Sequence, residues 1–183
     1  TPLYSSAASD VYKRQRLKRL ANDYQDLRLR FDGHPHIQVQ PLGPVPAERY
    51  RVVYKVPSLR LNPSNQPIVV NVTVVDFMLP INYPREKPHA VALEPVFHPN
   101  FGEYVCIADF WSPAQKLADI ILDVGEMLQW QKYNIKSPLN AVAADWAVKH
   151  KDDLPVGDKN LNFGTSAPVV SINPNQSGEK QIE

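Results

Sequence analysis

The sequence predicts an α+β domain: an N-terminal helix, a four-stranded antiparallel meander, a cysteine-bearing loop and C-terminal helices. Three observations support this prediction. Apolar residues recur every three or four positions near the start of the chain, form alternating or β-branched runs in its middle, and return to helical spacing after residue 112. Short linkers between the predicted strands favour an antiparallel meander over parallel strands joined by helical crossovers.

The first helix is predicted over residues 16–31, and Asp32-Gly33 ends it. Its apolar face consists of Leu17, Leu20, Tyr24, Leu27 and Phe31. The other face mixes acidic and basic side chains, which suits either solvent or a docking surface for a partner enzyme.

Four strands are predicted next. The first is the short run 37–40, and the second is 50–56, where apolar and polar residues alternate. The third, 68–77, is rich in β-branched residues and long enough for a central strand. The fourth is 90–93, after a loop with several prolines.

Two helix-start signals follow the strands. Ser112 is a favourable N-cap and Pro113 suits the first helical position, and Ser137-Pro138 repeats the pattern. Beyond residue 153 the chain turns polar, so residues 154–183 are predicted to form a mostly disordered tail.

The composition is that of one globular domain. Apolar residues make up 43% of the 183, which is enough for one core. The 20 basic residues nearly balance the 19 acidic ones, so we expect neither a nucleic-acid nor a membrane partner. One cysteine excludes an internal disulfide, fits a reducing compartment and gives no multi-cysteine zinc site. With no signal peptide or membrane-length apolar run visible, the sequence predicts a cytoplasmic protein.

Cys106 is the most informative residue of the chain. A free cysteine is commonly a buried, inert apolar residue. Here the carboxamide of Asn100 precedes it closely, and Trp111 and a helix-start signal follow it. This arrangement predicts a thiol at the lip of a loop, where thiolate chemistry is available.

The order of elements and four local motifs resemble the ubiquitin-conjugating (E2) family and its UBC fold. Tyr83-Pro84 followed by Pro88 is similar to the family's Tyr-Pro-x-x-x-Pro element. His98-Pro99-Asn100 and Trp111-Ser112-Pro113-Ala114 match its His-Pro-Asn and Trp-Ser-Pro-Ala signatures, and Cys106 stands where its conjugating cysteine would. The resemblance covers about residues 16–150, and four motifs in this order are specific.

The resemblance implies a chemical role for three residues. Cys106 would accept a ubiquitin-like protein as a thioester from an ATP-using E1-like enzyme and pass it to a lysine of a target protein. Asn100 would donate a hydrogen bond to the oxyanion, and Ser137 would orient or deprotonate the incoming amine. The structural alternatives are an Asn that only holds its loop and a Ser that only caps a helix. The carboxylate of nearby Asp109 is an alternative to Ser137 for the role beside the amine.

The remaining motif residues receive structural or docking roles from the resemblance. The predicted scaffold consists of His98, Pro99, Tyr83, Pro84, Pro88 and Trp111. Ser112, Pro113, Ala114 and Arg85 fall on the family's ligase-binding surface. Arg85 occupies a position that is often apolar in the family, so both ligase-assisted and ligase-independent transfer remain alternatives. The expected partners are an E1-like enzyme, a ubiquitin-like protein, a protein substrate and, in the first case, an E3-like ligase; no cofactor is expected.

The segments around Cys106 are shorter than in most eukaryotic members. In this the chain resembles the compact E2-like proteins of bacterial ubiquitination-like operons, which often act in antiphage defence. Residues 1–15 resemble translated sequencing-adapter read-through from metagenomic contigs and are excluded from the fold prediction; the alternative is a genuine polar extension. The predicted E2-like domain is therefore 16–153.

Two other functions are compatible with these residues. One is a catalytically silent E2 variant, or RWD-like scaffold, that binds a ubiquitin-like protein without a covalent bond. The other is a cysteine hydrolase that pairs Cys106 with His98 or His89, although the sequence lacks a clear third residue to orient the base.

Overall fold

The computed structural model describes residues 3–107 and 111–162. Over these residues the protein is α+β, with an N-terminal helix, a four-stranded antiparallel sheet and two later α-helices. The elements are α1 (Leu3–Phe31), β1 (Ile37–Pro41), β2 (Arg49–Tyr54), β3 (Ser58–Leu61), β4 (Pro67–Val70), β5 (Thr73–Met78), β6 (His89–Ala92), α2 (Leu117–Leu128) and α3 (Ala141–Lys149). Within these described residues, no helix combines the length and the apolar character that crossing a bilayer requires.

Helix α1 is longer than predicted but ends where predicted. It begins at Leu3 and so includes most of the 1–15 segment, whose adapter-like origin stays a prediction. The chain leaves the helix at Gly33, which has a φ of 76°, a left-handed conformation that glycine adopts without steric cost.

The four-stranded sheet has the order β1-β2-β5-β6, with every neighbouring pair antiparallel. In the central pair, Tyr50 faces Phe77 and Val52 faces Val75, and all four side chains are buried on one face of the sheet. That face packs against the apolar side of α2, where the Tyr54 hydroxyl donates to the carbonyl of Ile121 at 2.9 Å. The sheet and α2 therefore enclose the main core.

The prediction of one long strand over 68–77 was wrong. The run is divided at Asn71-Val72 into β4 and β5, and β4 pairs with β3 in a separate two-stranded sheet. At the division, the buried hydroxyls of Ser58 and Thr73 lie 2.8 Å apart and share a hydrogen bond. The β-branched residues did not reveal this break because they favour extended backbone on both sides of it.

Both predicted N-caps were wrong. Helix α2 begins at Leu117, and Ser112 instead forms a turn in which its carbonyl accepts the N–H of Gln115 at 2.9 Å. Helix α3 is capped by Asn140, whose Oδ1 accepts the N–H of Ala143 at 3.0 Å. The side chain of Asn140 is as good a cap as that of serine, and it lies closer to the apolar helical run.

Residues 154–162 form a segment that we call the C-terminal strap. The prediction of disorder from residue 154 does not hold for this segment. Gly157 donates its N–H to the carbonyl of Gln129 at 3.1 Å, and Lys159 donates its N–H to the Gln129 Oε1 at 2.8 Å. Leu161 is only 2% exposed because it fills a recess beside Gly125. The rest of the predicted tail, 163–183, lies outside the described residues.

Candidate active site

Cys106 is half-buried on a loop between β6 and α2. Its neighbours Val105 and Ile107 are 3% and 5% exposed and belong to the core. The N–H of Val105 donates to the carbonyl of Ala90 on β6 at 2.8 Å, and the N–H of Cys106 donates to the carbonyl of Asn100 at 2.8 Å. The backbone at Val105 and Cys106 is thus held by hydrogen bonds, and Cys106 remains partly accessible to solvent.

The side-chain amide of Asn100 has a defined orientation. Its Oδ1 accepts the backbone N–H of Asn134 at 2.9 Å, so its Nδ2 points the other way, towards the carbonyl of Cys106. That second contact is 3.4 Å long, which is near the limit of a hydrogen bond. The amide nitrogen is therefore aimed at the Cys106 segment and only weakly engaged by it.

His98 is a buried, neutral support for this loop. Its Nδ1 accepts the N–H of Asn100 at 3.0 Å, so its Nε2 carries the proton and donates to the carbonyl of Lys132 at 3.1 Å. The ring also packs edge-on against Trp130, with 4.7 Å between the ring centroids. Burial lowers the pKa of His98 to about 3. Because backbone groups occupy both ring nitrogens, His98 is unsuited to act as a general base.

Ser137 lies on a segment that folds back onto the His98-Pro99-Asn100 motif. The carbonyl of Pro99 accepts the N–H groups of Leu139 at 2.8 Å and Asn140 at 3.1 Å. The Ser137 side chain is exposed and is not tied into a helix cap. The structure thus brings the Ser137 segment to the motif that precedes Cys106, and it leaves the hydroxyl available to solvent. Asp109, the alternative carboxylate, lies outside the described residues.

Asn134 is a site residue that the sequence analysis missed. Besides holding Asn100 through its N–H, it accepts the N–H groups of Lys136 at 2.9 Å and Ser137 at 3.4 Å on its own Oδ1. It therefore links Asn100 to the Ser137 segment. The signal was the asparagine three residues before Ser137, because asparagine side chains commonly hydrogen-bond backbone N–H groups two or three residues ahead.

Tyr83 lies at the centre of a buried polar network that connects α1 to the loop after Cys106. Its hydroxyl donates to Asp23 Oδ2 at 2.6 Å and accepts from Arg19 Nη2 at 2.8 Å. Arg19 also donates to Asp23 at 2.8 Å and to the carbonyls of Pro113 and Gln115. Burial raises the pKa of Asp23, and hydrogen bonds from Tyr83 and Arg19 oppose that rise.

The other motif residues extend this scaffold. Trp111 donates its indole N–H to the carbonyl of Pro84 at 2.8 Å, while Pro88 and Pro99 are buried. Arg85 and residues 112–114 are exposed on either side of this contact. The four residues assigned to a ligase surface are therefore accessible.

In the described part of the chain, no group of three or more His, Cys, Asp or Glu side chains is arranged to hold a metal ion. No protein-family model matches the sequence, and a search of curated proteins finds no significant match. The functional argument therefore depends on the geometry around Cys106 and on the motifs themselves.

Proposed function

We propose that this protein is an E2-like conjugating enzyme with a UBC-like domain over residues 16–153. It carries a ubiquitin-like protein as a thioester on Cys106 and transfers it to a lysine amine of a target protein. The observation that supports this most is the half-buried Cys106, whose backbone carbonyl lies 3.4 Å from the nitrogen of the oriented Asn100 amide. The four ordered motifs and the α+β arrangement add to it.

Loading is a thioester exchange. The Cys106 thiolate attacks the carbonyl carbon of the E1-bound thioester, and the thiolate of the E1 leaves, so one thioester replaces another. The E1-like enzyme uses ATP to make the first thioester, and the present chain needs no cofactor for its own step.

Transfer is an aminolysis. A neutral lysine amine attacks the thioester carbon, and the developing oxyanion receives a hydrogen bond from Asn100 Nδ2. The intermediate collapses to an amide, Cys106 leaves as a thiolate, and the amine proton passes to solvent beside the exposed Ser137. One preorganised oxyanion donor typically contributes about 2.7–4 kcal/mol to transition-state stabilisation.

The proposed partners are an E1-like enzyme, a ubiquitin-like protein and a protein substrate. The exposed Arg85 and residues 112–114 form the proposed surface for a ligase. The bacterial, cytoplasmic setting belongs to the same proposal, because it follows from the resemblance to compact bacterial E2-like proteins. The engagement of both nitrogens of His98 weighs against a hydrolase that uses His98 as its base.

A thioester assay tests this proposal. The protein is mixed with ATP and several pairs of bacterial E1-like enzyme and ubiquitin-like protein, and products are separated with and without a thiol reductant. We expect an adduct that the reductant removes, that is absent from Cys106→Ala, and that resists the reductant in Cys106→Ser. Non-covalent binding of the ubiquitin-like protein without any adduct would refute the proposed enzymatic function and favour the catalytically silent scaffold.

A second experiment separates loading from transfer. Asn100→Ala should still form the Cys106 thioester, but its discharge onto free lysine should slow about 10²–10³-fold because the oxyanion donor is lost. Asn140→Ala is a matched control, since it removes a nearby carboxamide that caps α3 instead. If both variants discharge at the normal rate, Asn100 only holds its loop.

A further inference from the structure

We propose that Trp130 is a positioning residue for the Asn100 amide, because its ring holds a left-handed turn that leads from α2 into the segment that fixes Asn100. The orientation of the amide is a property of the fold itself. The effect of that orientation on lysine transfer rests on the proposed function, so the two are measured by separate experiments.

The backbone at Trp130 has an unusual conformation. Its φ is 60°, a left-handed value that a residue with a Cβ adopts only at a steric cost. The N–H of Trp130 donates to the carbonyl of Met127 at 2.8 Å, and the N–H of Gln131 donates to the carbonyl of Glu126 at 3.0 Å. This pair of hydrogen bonds is a common way to end a helix, and glycine is the usual residue at its left-handed position. A tryptophan at this position therefore has to be stabilised by its side-chain contacts.

The ring of Trp130 makes these contacts. It is 1% exposed and packs edge-on against His98 and Trp146, with 4.7 and 5.4 Å between the ring centroids. The ring of Phe97 lies 6.3 Å away on the same measure. The indole N–H is buried, and among the described residues it has no hydrogen-bond partner. Packing therefore holds the ring, and loss of that packing would leave the left-handed backbone without support.

The turn directs the following residues back over the groups that hold Asn100. Two positions after the turn residue, the carbonyl of Lys132 accepts a hydrogen bond from His98 Nε2 at 3.1 Å. Two positions further on, the N–H of Asn134 donates to Asn100 Oδ1 at 2.9 Å. His98 in turn accepts the backbone N–H of Asn100 on its Nδ1 at 3.0 Å. One turn thus supports both the backbone and the side-chain amide of Asn100.

The contact with Asn134 decides which end of the Asn100 amide faces the Cys106 segment. Because the N–H of Asn134 engages the amide oxygen, the amide nitrogen lies towards the carbonyl of Cys106, at 3.4 Å. An amide released from Asn134 can rotate and present its oxygen instead, and that oxygen has no proton to donate to an oxyanion. Loss of the turn would therefore remove the proposed donor while leaving Asn100 in the sequence.

Hydrogen exchange of the Asn134 amide, followed by NMR of the full-length chain, tests the positioning without any partner protein. In Trp130→Ala, which has no ring to hold the turn, we expect the protection of this amide to fall about tenfold or more. Trp146→Ala is the matched control, because it removes a ring of the same apolar cluster from α3, and it should keep the protection. Amides of the β2–β5 pair should stay protected in both variants. Unchanged Asn134 protection in Trp130→Ala, or an equal loss in both variants, would overturn the proposal.

Two further variants keep this test decisive. If Trp130→Ala does not fold, Trp130→Gly takes its place, because glycine lacks the ring but adopts the left-handed backbone without steric cost. Its Asn134 amide should also lose protection, and full protection would overturn the role of the ring. Trp130→Phe keeps an aromatic ring at this position and should retain most of the protection. A loss in Trp130→Phe as large as that in the variants without a ring would equally contradict the proposal.

A second experiment measures the consequence for transfer. Loading of Cys106 should be unchanged in Trp130→Ala, whereas discharge of the thioester onto free lysine should slow about tenfold or more. In an Asn100→Ala background the same substitution should slow discharge no further, because the donor that it positions is already absent. Equal slowing in both backgrounds would overturn an action through Asn100. If the unmodified protein forms no thioester, the proposed function fails, and the exchange of the Asn134 amide still decides whether Trp130 positions Asn100.

Discussion

Replacing Gly125 by alanine should have two opposing effects on the free energy of unfolding, both of known typical size. Alanine is about 1 kcal/mol more favourable than glycine in a helix interior, so the change should strengthen α2 in isolation. An added Cβ would, however, lie 2.4 Å from Leu161 Cδ1 and 3.2 Å from the Tyr54 ring. Comfortable carbon contacts need about 3.5–4.0 Å. Tyr54 is buried and hydrogen-bonded to Ile121, so the side chain that must leave is Leu161.

The expected result is a net destabilisation. Removing a buried leucine side chain costs about 2–5 kcal/mol, and the helix gain offsets about 1 kcal/mol of that. Gly125→Ala should therefore lower the free energy of unfolding by about 1–4 kcal/mol. In a Leu161→Ala background the Cβ meets only the Tyr54 ring, so the same change should be close to neutral or stabilising.

Urea unfolding followed by tryptophan fluorescence measures these free energies for the two single variants and the double variant. The contact between Gly125 and Leu161 predicts an interaction energy of about 1 kcal/mol or more in this double-mutant cycle. Additive effects, with Gly125→Ala equally favourable in both backgrounds, would refute the placement of the strap against α2.

Two further predictions concern stability. Tyr83→Phe leaves the Asp23 carboxylate buried with one partner fewer and should cost about 1.5–3 kcal/mol at pH 7. Because burial raises the pKa of Asp23, that carboxyl becomes neutral in the folded protein as the pH falls, so the cost of Tyr83→Phe should shrink towards pH 4. Urea unfolding at pH 7 and pH 4 measures the two costs, and equal costs would contradict this prediction. Asn140→Ala should cost about 1 kcal/mol by removing the α3 cap, whereas Ser137→Ala should cost almost nothing. Urea unfolding also compares Asn140→Ala with Ser137→Ala, and a larger loss of stability in Ser137→Ala would show that Ser137 is the cap.

The parts of the fold that were predictable depend on local signals. The end of α1 at Gly33, the pairing of β1 with β2 and of β5 with β6, and the helical run after residue 116 each follow from periodicity or from a residue with special backbone freedom. The break at Asn71-Val72 does not, because it depends on the partner strand β3. The strap was missed for a similar reason: Leu161 is an isolated apolar residue whose burial requires the recess beside Gly125.

The candidate site likewise has residues that the sequence predicts and residues that it does not. Cys106 and Asn100 were recognisable from the motifs, and the structure brings their backbones into hydrogen-bond contact. The N-caps were misplaced because Ser112 and Ser137 have the right side chains but not the right position relative to the first helical turn. Asn134 was missed because its role appears only when the chain returns to Asn100, 34 positions away in sequence.

The contacts that Pro99 and Asn100 make with residues 134–140 have a consequence for the order of synthesis. A nascent chain that has just exposed Cys106 outside the ribosome still lacks Asn134, which orients the Asn100 amide, and Leu139 and Asn140, which close over Pro99. An incomplete chain therefore displays the thiol without its oriented amide. Under the proposed function, an E1-like enzyme that loaded such a chain would place its cargo on a carrier unable to pass it on efficiently. If the protein has the proposed function, the long-range closure of the site makes transfer competence a property of the finished domain.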